Sequence, residues 1–343
     1  MKVAVVGAGI VGASAARQLA TRGHSVVLFD QFEFGHHHGS SHGNSRIVRK
    51  AYEEPKYTAI MLEAYPLWRE LEASAQETLY HEVGLLYFGG ANAPGIRNVV
   101  ASLTANGVNH QVNEPAEVAR RLPELRLGAD EVGVFTPEAG WVHATQAVMA
   151  TIRLASEAGA TLRSQTSVDL DVLEKSFDRV VLAPGGWIRR FVDVPVKVTC
   201  QTFYYAVNLR HLGPVWIEDG PDFAYGFPTE PHGMGVKVAF HRPGPEVDPS
   251  GPRPEEDPSG FFDLMSRRFD EKPDFTQNTC LYTSTVDEGF RFGRLGDRIV
   301  WGSACSGHGF KFGPWTGKVL ADIAEDKSDP SDWPDFACQA NRV

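Results

Sequence analysis

The chain has 343 residues, enough for two domains with full cores. Its formal net charge of −10 makes a nucleic-acid partner unexpected. No apolar run approaches the ~20 residues needed to span a bilayer, so we expect no membrane partner. The four cysteines are scattered, which argues against a disulfide framework and favours a reducing, cytoplasmic location. Because the chain enters a strand at once, no signal peptide is expected.

The first thirty residues predict a βαβ unit with a dinucleotide-binding turn. A β-branched strand runs into a Gly-x-Gly-x-x-Gly turn and a helix, and a second apolar strand ends in Asp30. Gly7 allows the tight turn, Gly9 lets the backbone approach a pyrophosphate, and Gly12 lets the helix pack closely on the strand. Asp30 suits a ribose 2′-hydroxyl and would repel a 2′-phosphate, so NADP is disfavoured. The motif alone leaves FAD and NAD open.

The loop after Asp30 combines histidines, glycines and arginines. Residues 36–38 and His42 place four histidines within seven residues, but no acidic or thiol partner is near, so we predict no metal site. The glycines and small polar residues instead indicate a backbone loop that lies close to a ligand. Arg46 and Arg49 follow, and arginines beside a nucleotide fold commonly bind anions.

Apolar periodicity supplies the other predicted elements. Helices are expected at 57–73, 94–106, 143–158, 261–269 and from Pro314 onward. Strands are expected at 82–88, 160–163, 168–172, 179–182, 196–207, 215–218, 223–227, 235–241, 280–285 and 298–303. Pro66 should kink or split the first helix. The proline-rich and acidic segment 243–258 predicts a surface loop.

The strands at 179–182 and 298–303 end in glycine-rich turns and return the chain to the nucleotide-binding domain, unlike a simple NAD dehydrogenase. The predicted fold class is therefore α/β, or α+β overall. It combines a doubly wound nucleotide-binding domain with a substrate domain on a mixed or antiparallel sheet. We assign residues 1–80, 140–192 and 290–343 to the first domain, and residues 81–139 and 193–289 to the second.

Four segments resemble the monomeric sarcosine oxidase and N-methyltryptophan oxidase group, within the D-amino-acid-oxidase-like FAD-dependent oxidoreductases. They are Gly7 to Gly12 with Asp30, residues 39–49, residues 225–228 with 235–237, and residues 280–283 with 306–311. The resemblance runs nearly end to end and decides for FAD over NAD. It also implies a monomer that acts on a small amino-acid substrate and O2.

The resemblance implies a cofactor site. Cys280 matches the cysteine that these oxidases join by a thioether to the flavin 8α-carbon, although a buried strand cysteine is more often a small hydrophobe. Arg46 resembles the arginine beside the flavin ring, where a cation favours the anionic reduced state. The expected cofactor-binding residues are Gly7, Gly9, Gly12, Asp30, His42, Ser45, Arg46, Gly185, Trp187, Cys280, Gly307, His308, Gly309 and Lys311.

The resemblance also implies a substrate site. Arg49 and Lys311 match the pair that holds the substrate carboxylate, a task for which the planar guanidinium is well suited. Tyr225 and His241 match residues that line the substrate side, and Lys237 matches the lysine that faces the flavin, through water, on the oxygen-reacting side. The expected catalytic residues are thus Lys237, Arg46, His241 and Tyr225. Trp315, also expected among the substrate-binding residues, stands where smaller residues are usual and is expected to narrow or reshape the pocket.

The implied reaction is oxidation of the C–N bond of an N-substituted or cyclic amino acid to an imine, with O2 reduced to H2O2. Three alternatives stay open at this point. The first is a flavin-dependent amino-acid dehydrogenase that uses another electron acceptor, and the second is a fructosyl-amino-acid oxidase. The third is a flavin-containing subunit that only binds partners. The sequence does not choose between sarcosine, N-methyltryptophan, pipecolate, proline and a sugar-amine adduct as substrate.

Overall fold

The computed structural model describes residues 1–229, 234–303 and 305–343. Its helices are α1 (Ile10–Thr21), α2 (Pro55–Ala75), α3 (Pro94–Ala105), α4 (Pro115–Arg121), α5 (Ala144–Glu157), α6 (Leu170–Ser176), α7 (Ser259–Phe269) and α8 (Gly313–Ala324). Its strands are β1 (Lys2–Val6), β2 (Ser25–Phe29), β3 (Arg46–Val48), β4 (Tyr80–Glu82), β5 (Leu85–Gly90), β6 (Gln111–Asn113), β7 (Glu131–Thr136), β8 (Gly140–Val142), β9 (Thr161–Arg163), β10 (Arg179–Leu182), β11 (Val192–Asp193), β12 (Lys197–Ala206), β13 (Val215–Asp219), β14 (Ala224–Gly226), β15 (Val236–Phe240), β16 (Phe275–Ser284), β17 (Arg291–Leu295), β18 (Ile299–Ser303) and β19 (Asn341–Arg342).

A six-stranded sheet forms the nucleotide-binding half. Its strand order is β17-β18-β10-β1-β2-β9, and every pair is parallel except the edge pair β17–β18. Side chains of β1 alternate between two cores, with Val3 and Val5 on one face and Ala4 and Val6 on the other. Helices α1, α5 and α8 cover the first face, and α6 contributes to the second. A parallel sheet buried on both faces explains its continuous apolar strands.

An eight-stranded mixed sheet forms the other half. Its order is β16-β12-β15-β14-β13-β5-β7-β6, and β13–β5 is its parallel pair while the others are antiparallel. Helices α4 and α7 pack on one face, and α3 packs on the opposite one. A three-stranded sheet, β3-β8-β4, and the two-stranded pair β11–β19 complete the strands.

These findings confirm the predicted fold class. The strands of the six-stranded sheet fall within 1–80, 140–192 and 290–343, and those of the eight-stranded sheet within 81–139 and 193–289. We propose that the chain divides into two discontinuous domains at these boundaries. No helix among the described residues has both the length and the apolar character needed to cross a membrane.

Most predicted elements are confirmed to within a few residues, and the strand expected at 82–88 is confirmed only in part. The chain forms two strands there, because β4 ends at Glu82 and joins the three-stranded sheet, while β5 begins at Leu85 in the large sheet. Gly84 lies between them with φ +80°, a backbone conformation that glycine adopts readily. The glycine therefore redirects the chain from one sheet to the other.

A further expectation is corrected at a helix cap, and one of two alternatives is excluded at a proline. The strand predicted at 168–172 is wrong, since α6 begins at Leu170 and the Asp169 carboxylate accepts hydrogen bonds from the Asp171 and Val172 backbone N–H groups. Pro66 does not split its helix, because α2 runs without interruption from Pro55 to Ala75. Strand β17, which pairs with β18, was not predicted.

Candidate active site

One cavity of about 710 Å³ extends from the carboxyl ends of β1 and β2 to the face of the eight-stranded sheet. This volume is within the range of small-molecule and cofactor sites. Fifteen of the predicted site residues line it: Gly7, Gly9, Asp30, Arg46, Arg49, Gly185, Trp187, Tyr225, Lys237, His241, Cys280, Gly307, His308, Gly309 and Lys311.

The glycine turn at the end of β1 is shaped to approach a phosphate group. Gly7 has φ +99°, and a Cβ atom there would collide with the Ala183 carbonyl group. Gly9 precedes α1, whose amino-terminal turn carries no acidic side chain and opens on the cavity. Backbone N–H groups and the helix dipole make such an end favourable for an anion.

Asp30 ends β2 with its carboxylate held in place. The side chain is 7% exposed and accepts hydrogen bonds from the Ala8 backbone N–H at 2.8 Å and the Phe32 backbone N–H at 2.9 Å. The first of these bonds ties the acidic residue directly to the glycine turn. The turn and the carboxylate therefore form one rigid unit at the cavity wall.

The histidine tract packs as an aromatic wall. The His38 ring lies 4.3 Å from the Phe32 ring centre, and Phe32 in turn contacts Trp187 at 5.3 Å. His42 is buried, and its pKa falls to about 3 through burial and the positive charge of Arg46, so its ring is neutral near pH 7. In the described part of the chain, no group of histidine, cysteine and acidic residues is arranged to hold a metal ion.

Three predicted cofactor residues, Gly12, His42 and Ser45, are placed behind the cavity lining and not on it. A Cβ atom at Gly12 would collide with the Gly7 carbonyl oxygen, so this glycine allows the close packing of α1 on β1. The Ser45 carbonyl oxygen accepts hydrogen bonds from the Arg46 guanidinium at 2.8 Å and from Lys237 Nζ at 2.9 Å. These residues therefore support groups that do line the cavity.

Trp315 does not line the cavity, which corrects the expectation that it narrows the pocket. Its indole N–H donates to the Glu63 carboxylate at 2.9 Å, and its ring packs against Phe292 and Trp333. Successive helical residues are rotated by about 100°, and the next residue, Thr316, is the one that reaches the cavity. Trp315 therefore joins α8 to α2 in the core.

Two cations lie beside Cys280 on the cavity wall. Arg46 is held by the carbonyl oxygens of Ser45 and Ser40, the latter at 3.0 Å, and Lys237 is 3% exposed. Burial raises the pKa of the Cys280 thiol, whereas the charges of Arg46 and Lys237 act in the opposite direction. Burial is the larger of these effects, so the pKa of the thiol is raised on balance, and the two cations reduce the rise.

A second pair of cations flanks the ring of Tyr52. The Arg49 guanidinium carbon lies 3.9 Å from the ring centre and Lys311 Nζ lies 5.6 Å from it. Both side chains are less than 9% exposed, and among the described residues neither has a carboxylate partner. Burial and the charge of Arg49 hold the pKa of Lys311 well below its usual range. Such a pair is suited to an anion from outside the protein.

The eight-stranded sheet supplies the opposite wall. The hydroxyl groups of Tyr225 and Tyr282 are 3.4 Å apart, and His241 Nε2 lies 3.9 Å from a Glu288 carboxylate oxygen. Tyr52, Tyr282 and Glu288 were not predicted as site residues. Strand alternation could have identified Tyr282, because it lies two residues after Cys280 and so faces the same side.

The cavity begins at a glycine-rich βαβ turn with a fixed acidic residue and continues onto the face of a second sheet. This arrangement is that of an enzyme that binds a nucleotide cofactor. Residues 2–323 match the family described as DAO, FAD dependent oxidoreductase, and the chain belongs to this family. The resemblance on which the sequence interpretation rests is thereby confirmed, and so is FAD as the cofactor.

Curated relatives and solved structures agree with this assignment. The chain is 32% identical to human peroxisomal sarcosine oxidase, covering 93% of this chain and 91% of the relative. It is 30% identical to the monomeric sarcosine oxidase of Streptomyces avermitilis, covering 94% and 93% of the two chains. The structure of NikD, described as an unusual amino acid oxidase essential for nikkomycin biosynthesis, superimposes with a TM-score of 0.83 at 26% identity and covers 98% of this chain and 97% of its own.

Proposed function

We propose that the protein oxidises the C–N bond of an N-substituted or cyclic amino acid and passes the two electrons to O2, which leaves as H2O2. The observation that supports this best is the buried pair Arg49 and Lys311, which lacks a carboxylate partner among the described residues. A substrate carboxylate fits this pair, and its amine would then lie in the same cavity as the cofactor-binding turn. The relatives named sarcosine oxidase support the same substrate class.

The residues present fit FAD. The turn at Gly7 and Gly9 would hold the pyrophosphate at the amino end of α1, where a side chain on Gly7 would not fit. Asp30, fixed by Ala8 and Phe32, would accept the ribose hydroxyl groups. When bound, FAD supplies the acceptor for two electrons and the route by which they reach oxygen.

The side chains around the cavity position the substrate and determine the charge that surrounds it. Arg49 and Lys311 bind and orient the carboxylate, while Tyr225 and His241 line the far wall. Since Arg46 and Lys237 also face this cavity, a further positive charge is disfavoured, and the substrate amine binds in its neutral form. Its lone pair is then available to the breaking C–H bond, so no strongly basic side chain is required. The imine product is hydrolysed by water.

We further propose that Cys280 carries a covalent thioether to FAD. Its sulfur faces the cavity, and although burial raises the pKa of the thiol, the charges of Arg46 and Lys237 act toward the thiolate that such a bond requires. The bond replaces one S–H and one C–H bond, and the two electrons and two protons released reduce O2 to H2O2.

The four cysteines are unpaired thiols, which supports our proposal of a cytoplasmic location. The names of relatives support a monomer.

An anaerobic screen tests the proposed function. N-methylglycine, N-methyltryptophan, pipecolate, proline and a glycated amino acid are mixed in turn with the protein, and bleaching of the flavin absorption is recorded. We expect at least one to bleach the flavin, and admission of air should restore the colour with one H2O2 per amine oxidised. Bleaching without H2O2 would favour a dehydrogenase, and no bleaching by any carboxylated amine would contradict the proposal.

A further inference from the structure

The His308 ring is held at both of its nitrogen atoms. Nε2 lies 3.0 Å from the backbone carbonyl oxygen of Glu288, and Nδ1 lies 3.3 Å from the hydroxyl oxygen of Tyr52. Four aromatic side chains enclose the ring: Tyr52, Tyr57, Phe290 and Phe312. The ring therefore has a single orientation, and it joins the loop after β16 to the start of α2.

The two hydrogen bonds define where the proton resides. A carbonyl oxygen only accepts, so Nε2 of His308 carries the hydrogen that it donates to Glu288. Burial and the charge of Lys311 hold the pKa of His308 well below its usual range, so the ring is neutral and Nδ1 is an acceptor. The Tyr52 hydroxyl consequently donates its hydrogen to Nδ1. Because a phenolic O–H prefers to lie in the plane of its ring, this bond favours one orientation of the Tyr52 ring.

The same residue contacts Lys311 directly and is connected to Arg49 through Tyr52. The His308 backbone carbonyl oxygen accepts a hydrogen bond from Lys311 Nζ at 2.7 Å. The Tyr52 ring, anchored on the His308 side chain, lies under the Arg49 guanidinium at 3.9 Å. We propose that His308 is a positioning residue that sets the separation of Arg49 and Lys311 through Tyr52 and through its own carbonyl group.

This inference rests on the proposed function, in which Arg49 and Lys311 bind the substrate carboxylate. Two buried cations bind an anion well only when both are held at a fixed geometry, because reorientation on binding would reduce the gain. The Arg49 guanidinium is oriented by stacking on the face of the Tyr52 ring. When the hydroxyl group of Tyr52 is held by His308, the ring keeps one orientation and so does the guanidinium. His308 therefore acts on carboxylate binding without touching the carboxylate.

Two substitutions of His308 distinguish the contributions of its two ring nitrogens. The Asn side-chain oxygen occupies the position of Nδ1 and can still accept from Tyr52, so His308→Asn retains the bond that the inference invokes. The Gln amide nitrogen occupies the position of Nε2 and can still donate to the Glu288 carbonyl oxygen. His308→Gln therefore retains the contact with the loop and loses the hydrogen bond from the Tyr52 hydroxyl. Tyr52→Phe removes only the hydroxyl oxygen and keeps the ring under Arg49. Tyr57→Phe is a matched control, because Tyr57 packs edge-on against His308 at 5.0 Å.

The test measures binding of methoxyacetate, in which an ether oxygen replaces the amine nitrogen so that amine oxidation is impossible. Its dissociation constant is obtained from the change that it causes in the flavin absorption spectrum of the loaded protein. Loss of one hydrogen bond predicts about 3- to 10-fold weaker binding in Tyr52→Phe and in His308→Gln. We expect His308→Asn to bind near the wild-type value, as should Tyr57→Phe. The uncharged analogue 2-methoxyacetamide should bind equally to all variants.

Combining Tyr52→Phe with His308→Gln should add little to either change alone, because both remove the same bond. Additive losses, or an unaltered dissociation constant in Tyr52→Phe, would overturn the inference, as would equal weakening in His308→Asn and His308→Gln. No methoxyacetate binding to the wild-type protein would also overturn it. If methoxyacetate binding follows the expected pattern but no amine bleaches the flavin, the proposed function fails and the positioning role stands.

Discussion

The Arg49 guanidinium stacks on the Tyr52 ring at 3.9 Å, and both side chains are less than 9% exposed. A cation in this position is attracted by the ring face, and its N–H donors lie in the guanidinium plane, so stacking does not consume them. Stacking thus orients the guanidinium without using the donors that a carboxylate would need. The arrangement leads to a direct test of the substrate site.

Arg49→Ala should lower kcat/KM on a carboxylated amine by about 30-fold to several thousand-fold, which corresponds to a loss of about 2–5 kcal/mol of transition-state binding. Arg49→Lys should recover only part of this loss, because an ammonium group lacks the planar pair of donors. Steady-state kinetics measure the effect. Arg69→Ala, which removes an exposed arginine paired with Glu72 and Glu82, is the control. An unchanged kcat/KM in Arg49→Ala would remove Arg49 from the site.

Lys311 predicts a pH dependence of carboxylate binding. Burial and Arg49 lower its pKa in the free protein, and a bound carboxylate raises it again, so binding takes up a proton between the two values. Methoxyacetate should therefore bind most tightly below the free-protein pKa of Lys311 and more weakly as pH rises through it. Titrations at a series of pH values measure this.

The matched variant for this prediction is Lys311→Met, which removes the charge and keeps the length of the side chain. Its methoxyacetate affinity should be lower than that of the wild type at pH values below the free-protein pKa of Lys311, and it should not change over the same pH range. The flavin content of each preparation is measured first, so that a loss of cofactor is not mistaken for a loss of binding. A wild-type affinity that is flat up to the usual pKa of lysine would contradict the assignment.

Cys280 is tested by precipitation with acid. The flavin of the wild-type protein should remain in the pellet, whereas Cys280→Ser should release it into the supernatant. Cys338→Ser is the control, because that half-buried thiol lies outside the cavity lining. A white wild-type pellet under a yellow supernatant would show that the covalent proposal is wrong.

Local chemistry explains which parts of this molecule the sequence could predict. The βαβ unit with its glycine turn at Gly7 and with Asp30 after its second strand is confirmed, because all of its signals lie within thirty residues. The strand at 168–172 failed because alternating apolar residues suggested a period of two, while the Asp169 cap favours a helix. The contact between Tyr52 and His308 joins residues 256 positions apart, and no local pattern carries that information.

Trp315 is a second case in which the sequence predicts an element but not the contacts that its side chains make. The sequence places a helix from Pro314, but which side of α8 meets the cavity depends on how α8 packs on α1 and α2. Trp315→Phe should therefore leave KM and the range of accepted substrate sizes unchanged. It should lower the free energy of unfolding by about 1–3 kcal/mol, because the bond to Glu63 and part of the buried ring are lost.

Thermal unfolding and kinetics on amines of increasing size check this prediction together. A lower Tm with unaltered kinetics is the expected result. A changed substrate range at an unchanged Tm would return Trp315 to the substrate pocket. Leu62→Ala, at an exposed position of α2, provides the baseline for a change on the helix surface.

Lys237 tests whether the protein is an oxidase. The side chain is 3% exposed and faces the cavity, with its ammonium 2.9 Å from the Ser45 carbonyl oxygen and 5.0 Å from the Phe227 ring centre, so it is not a solvated surface lysine. Dioxygen gains negative charge when it accepts the first electron. A cation that is already fixed nearby, in a site sheltered from water, stabilises that charge without reorganisation.

Lys237→Met keeps the length of the side chain and removes its charge, so the two halves of the reaction should respond differently. Reoxidation of the pre-reduced variant by O2, followed by stopped-flow absorption, should slow by about 10²–10³-fold, the effect of losing one electrostatic stabiliser. Anaerobic reduction by the amine should change much less, because Arg49 and Lys311 still hold the carboxylate. Lys318→Met, at an exposed position of α8, should reoxidise at the wild-type rate. Equal reoxidation rates in Lys237→Met and wild type would remove Lys237 from the oxygen reaction and favour a dehydrogenase.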